Sequence, residues 1–230
     1  MKKVRAPRGR FIVVEGLDGA GTTTQARRLA AWMRAQGRKV HVTAEPSSGP
    51  IGALVRQVLT RRVAGGSGTG EFDPAALALL FAADRLDHVA SEIRPRLADG
   101  WDVVSDRFTL SSLAYQSLTC GDVGWIEAIN ARSLAPDLTL FLVVSPRTAL
   151  RRRYAASATR EIFEVPAFQT RVAGAYRAGI QRLRRRGQRV ELVDGEEPIE
   201  EVTAALARAI ARLIGAGSAR TPPARYSGRR

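Results

Sequence analysis

The most informative stretch of this chain is a glycine-rich turn, GLDGAGTT, at residues 16–23. It follows a short apolar, β-branched run at residues 11–15 and precedes an amphipathic stretch that predicts a helix over residues 23–36. Glycines let a backbone turn tightly and bring its N–H groups close to an anion. The amino terminus of a helix adds a partial positive charge at the same place. A turn of this composition between a strand and a helix therefore predicts a phosphate-binding loop.

One position of the loop departs from the P-loop pattern. Thr23 occupies the position of the Ser or Thr whose hydroxyl reaches Mg²⁺ in such loops, but the residue before it is Thr22, where the pattern has lysine. The sequence leaves two interpretations open. Either this is a nucleotide-binding loop whose missing cation comes from elsewhere, or it is a strand–helix turn that binds no nucleotide.

Strand and helix patterns alternate along the rest of the chain. Short apolar runs predict strands, and the amphipathic stretches between them predict helices. The expected strands are residues 11–15, 39–43, 101–105, 138–144 and 189–193, and the expected helices are 23–36, 51–59, 74–94, 110–118, 123–133, 147–154, 168–185 and 199–214. This alternation predicts one three-layer α/β domain, with a five-stranded parallel sheet and helices on both faces.

The composition fits one globular domain in a reducing compartment. The chain has 230 residues, of which 45% are hydrophobic, and its single cysteine, Cys120, excludes an intramolecular disulfide. No apolar run is long enough to span a membrane, so no membrane partner is expected and a cytoplasmic location is predicted. We expect the domain to cover residues 11–215, between basic flexible tails at 1–10 and 216–230.

The net charge of +14 is concentrated at the two ends of the chain. Nine basic residues lie there, and without them the net charge is +5; they are Lys2, Lys3, Arg5, Arg8, Arg10, Arg220, Arg225, Arg229 and Arg230. Ends of this composition are typical of solvated tails. A nucleic-acid partner is therefore not expected.

Three further segments, taken with the loop, resemble the thymidylate kinase (dTMP kinase) family. They are Glu45-Pro46, LFAADR at residues 80–85 and SDRFTLSSLAYQ at residues 105–116, in the family's order and at its approximate spacing. The resemblance implies the three-layer P-loop kinase fold with a lid segment. It also implies transfer of the γ-phosphate of ATP to dTMP, giving dTDP and ADP, with Mg²⁺ as cofactor. A homodimer is implied as well.

The resemblance assigns roles to particular side chains. Phe81 is expected to stack on the thymine ring, Arg85 to hydrogen-bond the base, and Tyr115 to pack beneath the deoxyribose. The implied dTMP-binding set is Glu45, Pro46, Arg56, Phe81, Arg85, Arg107, Ser112, Tyr115 and Gln116. The implied ATP-binding set is Gly16, Leu17, Asp18, Gly19, Ala20, Gly21, Thr22 and Thr23, and the implied metal-binding pair is Thr23 and Asp106.

A basic segment after the fourth predicted strand resembles the lid of the bacterial type of the family, which has glycine at the position of Gly19. The lid is expected at about residues 151–165, and the implied catalytic residues are Asp18, Arg107, Arg152, Arg153 and Arg160. The family usually shows Asp-Arg before an aromatic or aliphatic residue and Glu, whereas this chain has Arg-Glu-Ile-Phe-Glu at 160–164. Which arginine reaches the phosphates stays open. One hypothesis is that a lid arginine supplies the charge that Thr22 lacks.

Two other functions remain compatible with these residues. One is a nucleoside-monophosphate kinase with a different base preference, which a panel of acceptors would distinguish. The other is a catalytically weak P-loop protein that binds nucleotide, because Thr22 replaces the lysine. Any detectable turnover would argue against that alternative.

Overall fold

Five parallel strands and the helices between them make up the computed structural model, which describes residues 8–66, 71–156 and 166–217. The strands are β1 Phe11–Gly16, β2 Val40–Ala44, β3 Asp102–Asp106, β4 Leu138–Val143 and β5 Val190–Asp194. The helices are α1 Thr22–Ala35, α2 Pro50–Leu59, α3 Pro74–His88, α4 Arg94–Ala98, α5 Thr109–Cys120, α6 Val123–Ile129, α7 Pro146–Ala156, α8 Pro166–Arg185 and α9 Ile199–Gly217. A π-helical segment, Val89–Ile93, joins α3 to α4.

The strands form one sheet in the order β2-β3-β1-β4-β5. All four strand pairs are parallel, so every carboxyl end lies at the same edge of the sheet. The central strand β1 runs into the glycine-rich loop, β2 runs into Glu45, and β3 runs into Arg107. Ligands of open parallel sheets bind at this edge, where neighbouring connections diverge. The predicted α/β fold is confirmed, and it gathers the segments of the predicted site at one place.

The side chains of β1 alternate between two hydrophobic clusters. Ile12 and Val14 pack into the larger cluster, which includes residues of α1, α5, α8 and α9. Phe11 and Val13 pack into a second cluster with Ile93 of the π-helical segment. Because successive side chains of a strand point to opposite faces, β1 is buried on both sides. This double burial accounts for its uninterrupted apolar sequence.

The third helical stretch differs from the helix predicted over residues 74–94. The observed helical stretch continues beyond residue 94, because α3 passes through the π-helical segment into α4. Arg94 donates its backbone N–H to the carbonyl of Val89, five residues earlier. The next residue, Pro95, has no N–H for the carbonyl of Ser91, and its ring would collide with that carbonyl in a regular helix. A wider turn before the proline is the physical reason for the difference.

Helix α6 is shorter than predicted, because it ends at Ile129 and not at Ser133. Asn130 follows as the capping residue and donates a side-chain N–H to the carbonyl of Ile126 at 2.8 Å. The side-chain oxygen of Asn130 accepts a hydrogen bond from Arg85. The end of α6 is thus set by a residue that turns toward the carboxyl edge of the sheet. The other predicted elements lie within three residues of the observed bounds.

The amino-terminal end joins the sheet earlier than the predicted tail allows. The backbone N–H of Gly9 bonds the carbonyl of Leu97 at 3.0 Å, and that of Arg10 bonds Oδ1 of Asp102 at 2.8 Å. Residues 8–10 therefore belong to the fold, although the sequence predicts a tail through residue 10. At the other end, α9 continues to Gly217. Residues 1–7, 67–70, 157–165 (with Arg160) and 218–230 lie outside the described residues.

A search of the described helices for a membrane span finds no candidate that is long and apolar enough.

Candidate active site

A cleft of about 900 Å³ opens at the carboxyl edge of the sheet. Every residue expected to bind dTMP lines this cleft, as do Asp106, Arg152, Arg153 and the loop from Asp18 to Thr23. Gly16 and Leu17 do not line it, and the Leu17 side chain is 2% exposed within the hydrophobic core. Arg160 is outside the described residues. The structure thus brings nearly all of the predicted site residues to one cavity.

The glycine-rich loop bends at two residues with positive φ. Gly19 has φ +88° and Gly21, which precedes α1, has φ +92°, values that side chains disfavour. Thr22 then begins the helix and is 6% exposed at the floor of the cleft. No Lys or Arg occurs in residues 16–23, so the loop itself offers only backbone N–H groups and the positive end of α1 to an anion.

Helix α7 packs directly against this loop. A Cβ added at Gly19 would lie 2.0 Å from the carbonyl oxygen of Ala149 and 3.1 Å from the Cβ of Arg153. The close approach requires glycine, and it places Arg153 beside the loop. Arg152 points elsewhere: its Nη1 bonds the carbonyl of Gly195 at 2.7 Å, in the segment after β5. Arg152 and Arg153 therefore lie at different parts of the cleft.

An ion pair between Arg107 and Asp18 lies in the middle of the cleft, with 2.6 Å between Nη2 and Oδ1. Arg107 has φ +70°, which is uncommon for a residue with a side chain. Its Nη1 also donates to the Ser111 hydroxyl at 3.1 Å and to the Tyr176 hydroxyl at 3.0 Å. The guanidinium is therefore held from several sides, at a point between the loop and the far end of the cleft.

A buried arginine forms the far end of the cleft. Arg85 is 1% exposed, and its Nε and Nη2 lie 2.9 and 2.7 Å from Oε2 of Glu45. Its Nη1 donates to Ser112 at 3.1 Å and to Asn130. The guanidinium lies over the Phe108 ring, 5.2 Å from its centre. Pairing with a carboxylate and with polar side chains makes a buried cation tolerable.

Asp106 and Thr23 meet where the loop enters α1. The Thr23 hydroxyl donates to Oδ2 of Asp106. Oδ1 of Asp106 is buried and has no hydrogen-bond partner among the described residues. Buried carboxylate oxygens normally have a partner, so this oxygen is available to a bound ligand or ion. Mg²⁺ is commonly bound through one or two carboxylates together with phosphate oxygens, so these residues fit a magnesium–nucleotide complex.

A second buried carboxylate, Glu15, lies beneath Arg107. It accepts hydrogen bonds from the backbone N–H groups of Phe108 and Ser111 at 2.8 and 3.1 Å. It also accepts from the hydroxyls of Ser111 and Tyr176 at 2.7 and 3.3 Å. Burial raises the pKa of Glu15 to about 7, although the Arg107 charge and the hydrogen bonds lower it.

Several residues around the cleft are not among the predicted site residues; they are Glu15, Ser111, Asn130, Gln169 and Tyr176. Two of them carried a signal. Glu15 directly precedes the loop, and Ser111 lies inside the segment 105–116. The other three stand on or next to α6 and α8, in stretches without a motif. Only the packing of those helices brings them to the site.

Known proteins resemble this chain over most of its length. The family model for thymidylate kinase matches residues 14–206. A thymidylate kinase of Leifsonia xyli is 39% identical over 202 residues, covering 85% of this chain and 91% of the relative. One from Prochlorococcus marinus is 39% identical over 207 residues, covering 86% and 92%. A probable thymidylate kinase of Pyrococcus horikoshii is 39% identical over 170 residues, covering 74% and 82%. With this coverage, and with a five-stranded parallel sheet behind the cleft, the chain belongs to the thymidylate kinase family.

Proposed function

We propose that this protein transfers the γ-phosphoryl group of ATP to dTMP. An oxygen of the dTMP phosphate attacks the γ-phosphorus, the bond to the bridging oxygen breaks, and ADP and dTDP are released. One observation carries the proposal: a single cleft joins the phosphate loop to the Arg85 end, with the Arg107–Asp18 pair between them. Such a reaction depends on positioning and charge neutralisation, and the cleft supplies arginines for both.

The Arg85 end is proposed to bind the acceptor nucleoside. Phe81 would stack on the thymine ring, Arg85 would hydrogen-bond the base, and Ser112 would help to complete the base pocket. A flat aromatic against a base contributes on the order of 1–3 kcal/mol. Tyr115 would pack beneath the deoxyribose, and Gln116 would complete the base pocket. The remaining wall of the pocket is assigned to Glu45 and Pro46.

The acceptor phosphate is assigned to the middle of the cleft. Arg107 and Arg56 both line it, and guanidinium groups bind phosphate oxygens through paired N–H donors. Arg56 is fixed by bonds from Nη1 to the carbonyls of Pro46 and Ser47. Asp18 would meet the sugar 3′-hydroxyl or the cluster of phosphates.

The glycine-rich loop is proposed to bind the phosphates of ATP. Residues from Gly16 to Thr23 would surround them, chiefly through backbone N–H groups. When bound, Mg²⁺ neutralises charge on the β- and γ-phosphates, and Thr23 and Asp106 are the residues that would hold it. Arg152 and Arg153 would add positive charge from α7. Arg160 would be a further catalytic arginine of the lid, as the family resemblance implies.

Among the expected lid arginines, Arg153 is the best-supported replacement for the lysine missing at Thr22. Its Cβ lies 3.1 Å from the position of a Cβ at Gly19, so the side chain starts beside the loop. Arg152 bonds the carbonyls of Gly195 and Glu196, in the segment after β5. Loss of a phosphate-binding cation costs several kcal/mol of transition-state stabilisation unless it is replaced. Arg153 would supply that replacement.

A coupled assay of ADP release tests the proposed reaction. The purified protein is given ATP, Mg²⁺ and one acceptor at a time: dTMP, dUMP, UMP, CMP or AMP. We expect the highest kcat/KM with dTMP, and chromatography should show dTDP forming in step with ADP. A higher kcat/KM with another acceptor would assign a different base preference. Binding of thymidine nucleotides without any dTDP would show a P-loop protein that does not transfer phosphate.

A cytoplasmic homodimer is proposed as the form of the enzyme. Two large apolar side chains, Leu79 and Leu86, are 49% and 38% exposed on α3. They are two helical turns apart and so lie on one face of the helix. A second copy of the chain covering this face would remove both from water.

A further inference from the structure

The support beneath Arg107 is a buried carboxylate with four donors. Glu15 is 0% exposed, near the end of β1. Its Oε1 accepts the backbone N–H groups of Phe108 and Ser111, at the amino-terminal turn of α5. Its Oε2 accepts the hydroxyls of Ser111 and Tyr176. The carboxylate thus joins the end of β1, the start of α5 and the middle of α8.

The same two hydroxyls connect Glu15 to Arg107. Nη1 of Arg107 lies 3.1 Å from the Ser111 oxygen and 3.0 Å from the Tyr176 oxygen. A guanidinium can only donate, an ionised carboxylate can only accept, and each hydroxyl has one proton. The two hydroxyl oxygens also lie 2.9 Å apart. When Glu15 is ionised, the Ser111 proton can point to Oε2 and the Tyr176 proton to Oε2 or to the Ser111 oxygen, so both oxygens keep a lone pair for Arg107. A protonated Glu15 would have to donate, and this arrangement would be lost.

We propose that ionised Glu15 is a positioning residue for Arg107, acting through the hydroxyls of Ser111 and Tyr176. This inference rests on the proposed function, in which Arg107 binds the acceptor phosphate. A displacement of about 1 Å at a reacting group can cost about 10²-fold in rate. The Gly16 carbonyl also accepts from Nη1 of Arg107 at 3.0 Å, and together with it the two hydroxyl oxygens limit such displacement. Asp18 holds the other terminal nitrogen, so the two sides of the guanidinium are fixed by different elements.

Glu15 changes its ionisation within the pH range in which the enzyme can be assayed. Burial raises its pKa to about 7, against the opposing charge of Arg107. The other titratable groups facing this cluster are Asp18 from the loop, Asp106 from β3, Tyr115 from α5 and Tyr176 from α8. Burial also raises the pKa of Tyr176 well above its usual range, so its phenol keeps its proton and remains a donor to Glu15. Use of dTMP should therefore improve as the pH rises through about 7.

Steady-state kinetics of four variants test the inference. Glu15→Gln places donor N–H groups where the carboxylate accepts, while Ser111→Ala and Tyr176→Phe each remove one hydroxyl. Ser117→Ala is the matched control, because Ser117 lies on the same helix and its hydroxyl bonds the Leu113 carbonyl within that helix. KM and kcat are measured for dTMP and for ATP from about pH 6 to about pH 8.5.

We expect the three test variants to raise KM for dTMP about tenfold, the effect of losing a hydrogen bond to a charged group, with KM for ATP changed less than about threefold. Ser117→Ala should behave as the wild type. The rise in kcat/KM near pH 7 should disappear in Glu15→Gln. The phosphate of dTMP, with a second pKa of about 6, titrates equally with every variant, so differences between variants report on Glu15.

Two results would overturn the inference. One is an unchanged KM for dTMP in Ser111→Ala and Tyr176→Phe when thermal melting shows both to be folded. The other is an equal loss for both substrates together with a lower Tm, which would make the cluster merely structural. If the wild-type enzyme forms no dTDP, the proposed function fails instead. Calorimetric binding of dTMP to the same variants then decides whether the cluster positions Arg107.

Discussion

Gly19→Ala is the sharpest test of the contact between α7 and the phosphate loop. The new Cβ would lie 2.0 Å from the Ala149 carbonyl oxygen, whereas real Cβ atoms essentially never come closer than 3.0 Å, so α7 or the loop must move by about 1 Å. The positive φ of +88° adds a backbone penalty of roughly 1–2 kcal/mol. A shift of about 1 Å at the phosphates can lower the rate about 10²-fold. We therefore expect Gly19→Ala to be less active even when it is fully folded.

Gly37→Ala provides the matched control. Gly37 also has positive φ, +79°, but nothing lies within 4 Å of the added Cβ. Both variants should lose about 1–2 kcal/mol of unfolding free energy from backbone strain, and Gly19→Ala should lose more because of the collision. Urea denaturation and the coupled ADP assay measure the two effects. If Gly19→Ala matches Gly37→Ala in stability and keeps kcat/KM within about threefold of wild type, our account of the loop–α7 contact is refuted.

Three further predictions concern charge, pH and assembly. Arg153→Met should lower kcat about tenfold or more, while Arg152→Met should chiefly raise KM for ATP; equal kinetics would contradict these roles. Because burial raises the pKa of Glu15 from 4.5 to about 7, the folded protein keeps a proton that the unfolded chain has lost. The unfolding free energy should thus fall as the pH rises between those values, and it should fall less in Glu15→Gln. Urea titrations that give the same pH dependence for both proteins would contradict this prediction. Leu79→Glu should shift the protein from dimer to monomer in sedimentation velocity, and an unaffected dimer would place the interface elsewhere.

The fold was predictable largely from local patterns. A central strand of a parallel sheet is covered on both faces, so it appears in the sequence as a short apolar run. The run at residues 138–144 and the one at residues 11–15 are of this kind. The π-helical segment between α3 and α4 was harder to predict. Pro95 is visible in the sequence, but whether a helix ends or widens before a proline depends on what it packs against.

The site was predictable where its residues share one segment. Phe81 and Arg85 stand one helical turn apart on α3, so a single motif contains both. Asn130 is different, since it reaches Arg85 from the end of another helix, 45 residues away in sequence. Tyr176 reaches Arg107 across 69 residues. Such contacts depend on tertiary packing, and one sequence gives no local period or spacing that would reveal them.

A loop without lysine makes phosphate binding depend on a tertiary contact. The usual lysine belongs to the loop and moves with it, whereas Arg153 belongs to α7 and is brought to the loop by the close approach at Gly19. If Arg153 supplies the missing cation, then Thr22→Lys should make it partly redundant. Arg153→Met should therefore cost about tenfold in kcat in the wild-type background and clearly less in the Thr22→Lys background, a coupling that a double-mutant cycle measures directly. Independent effects of the two substitutions would mean that Arg153 does not substitute for the lysine. The loop would then bind ATP through its backbone, the amino terminus of α1 and the metal site at Asp106.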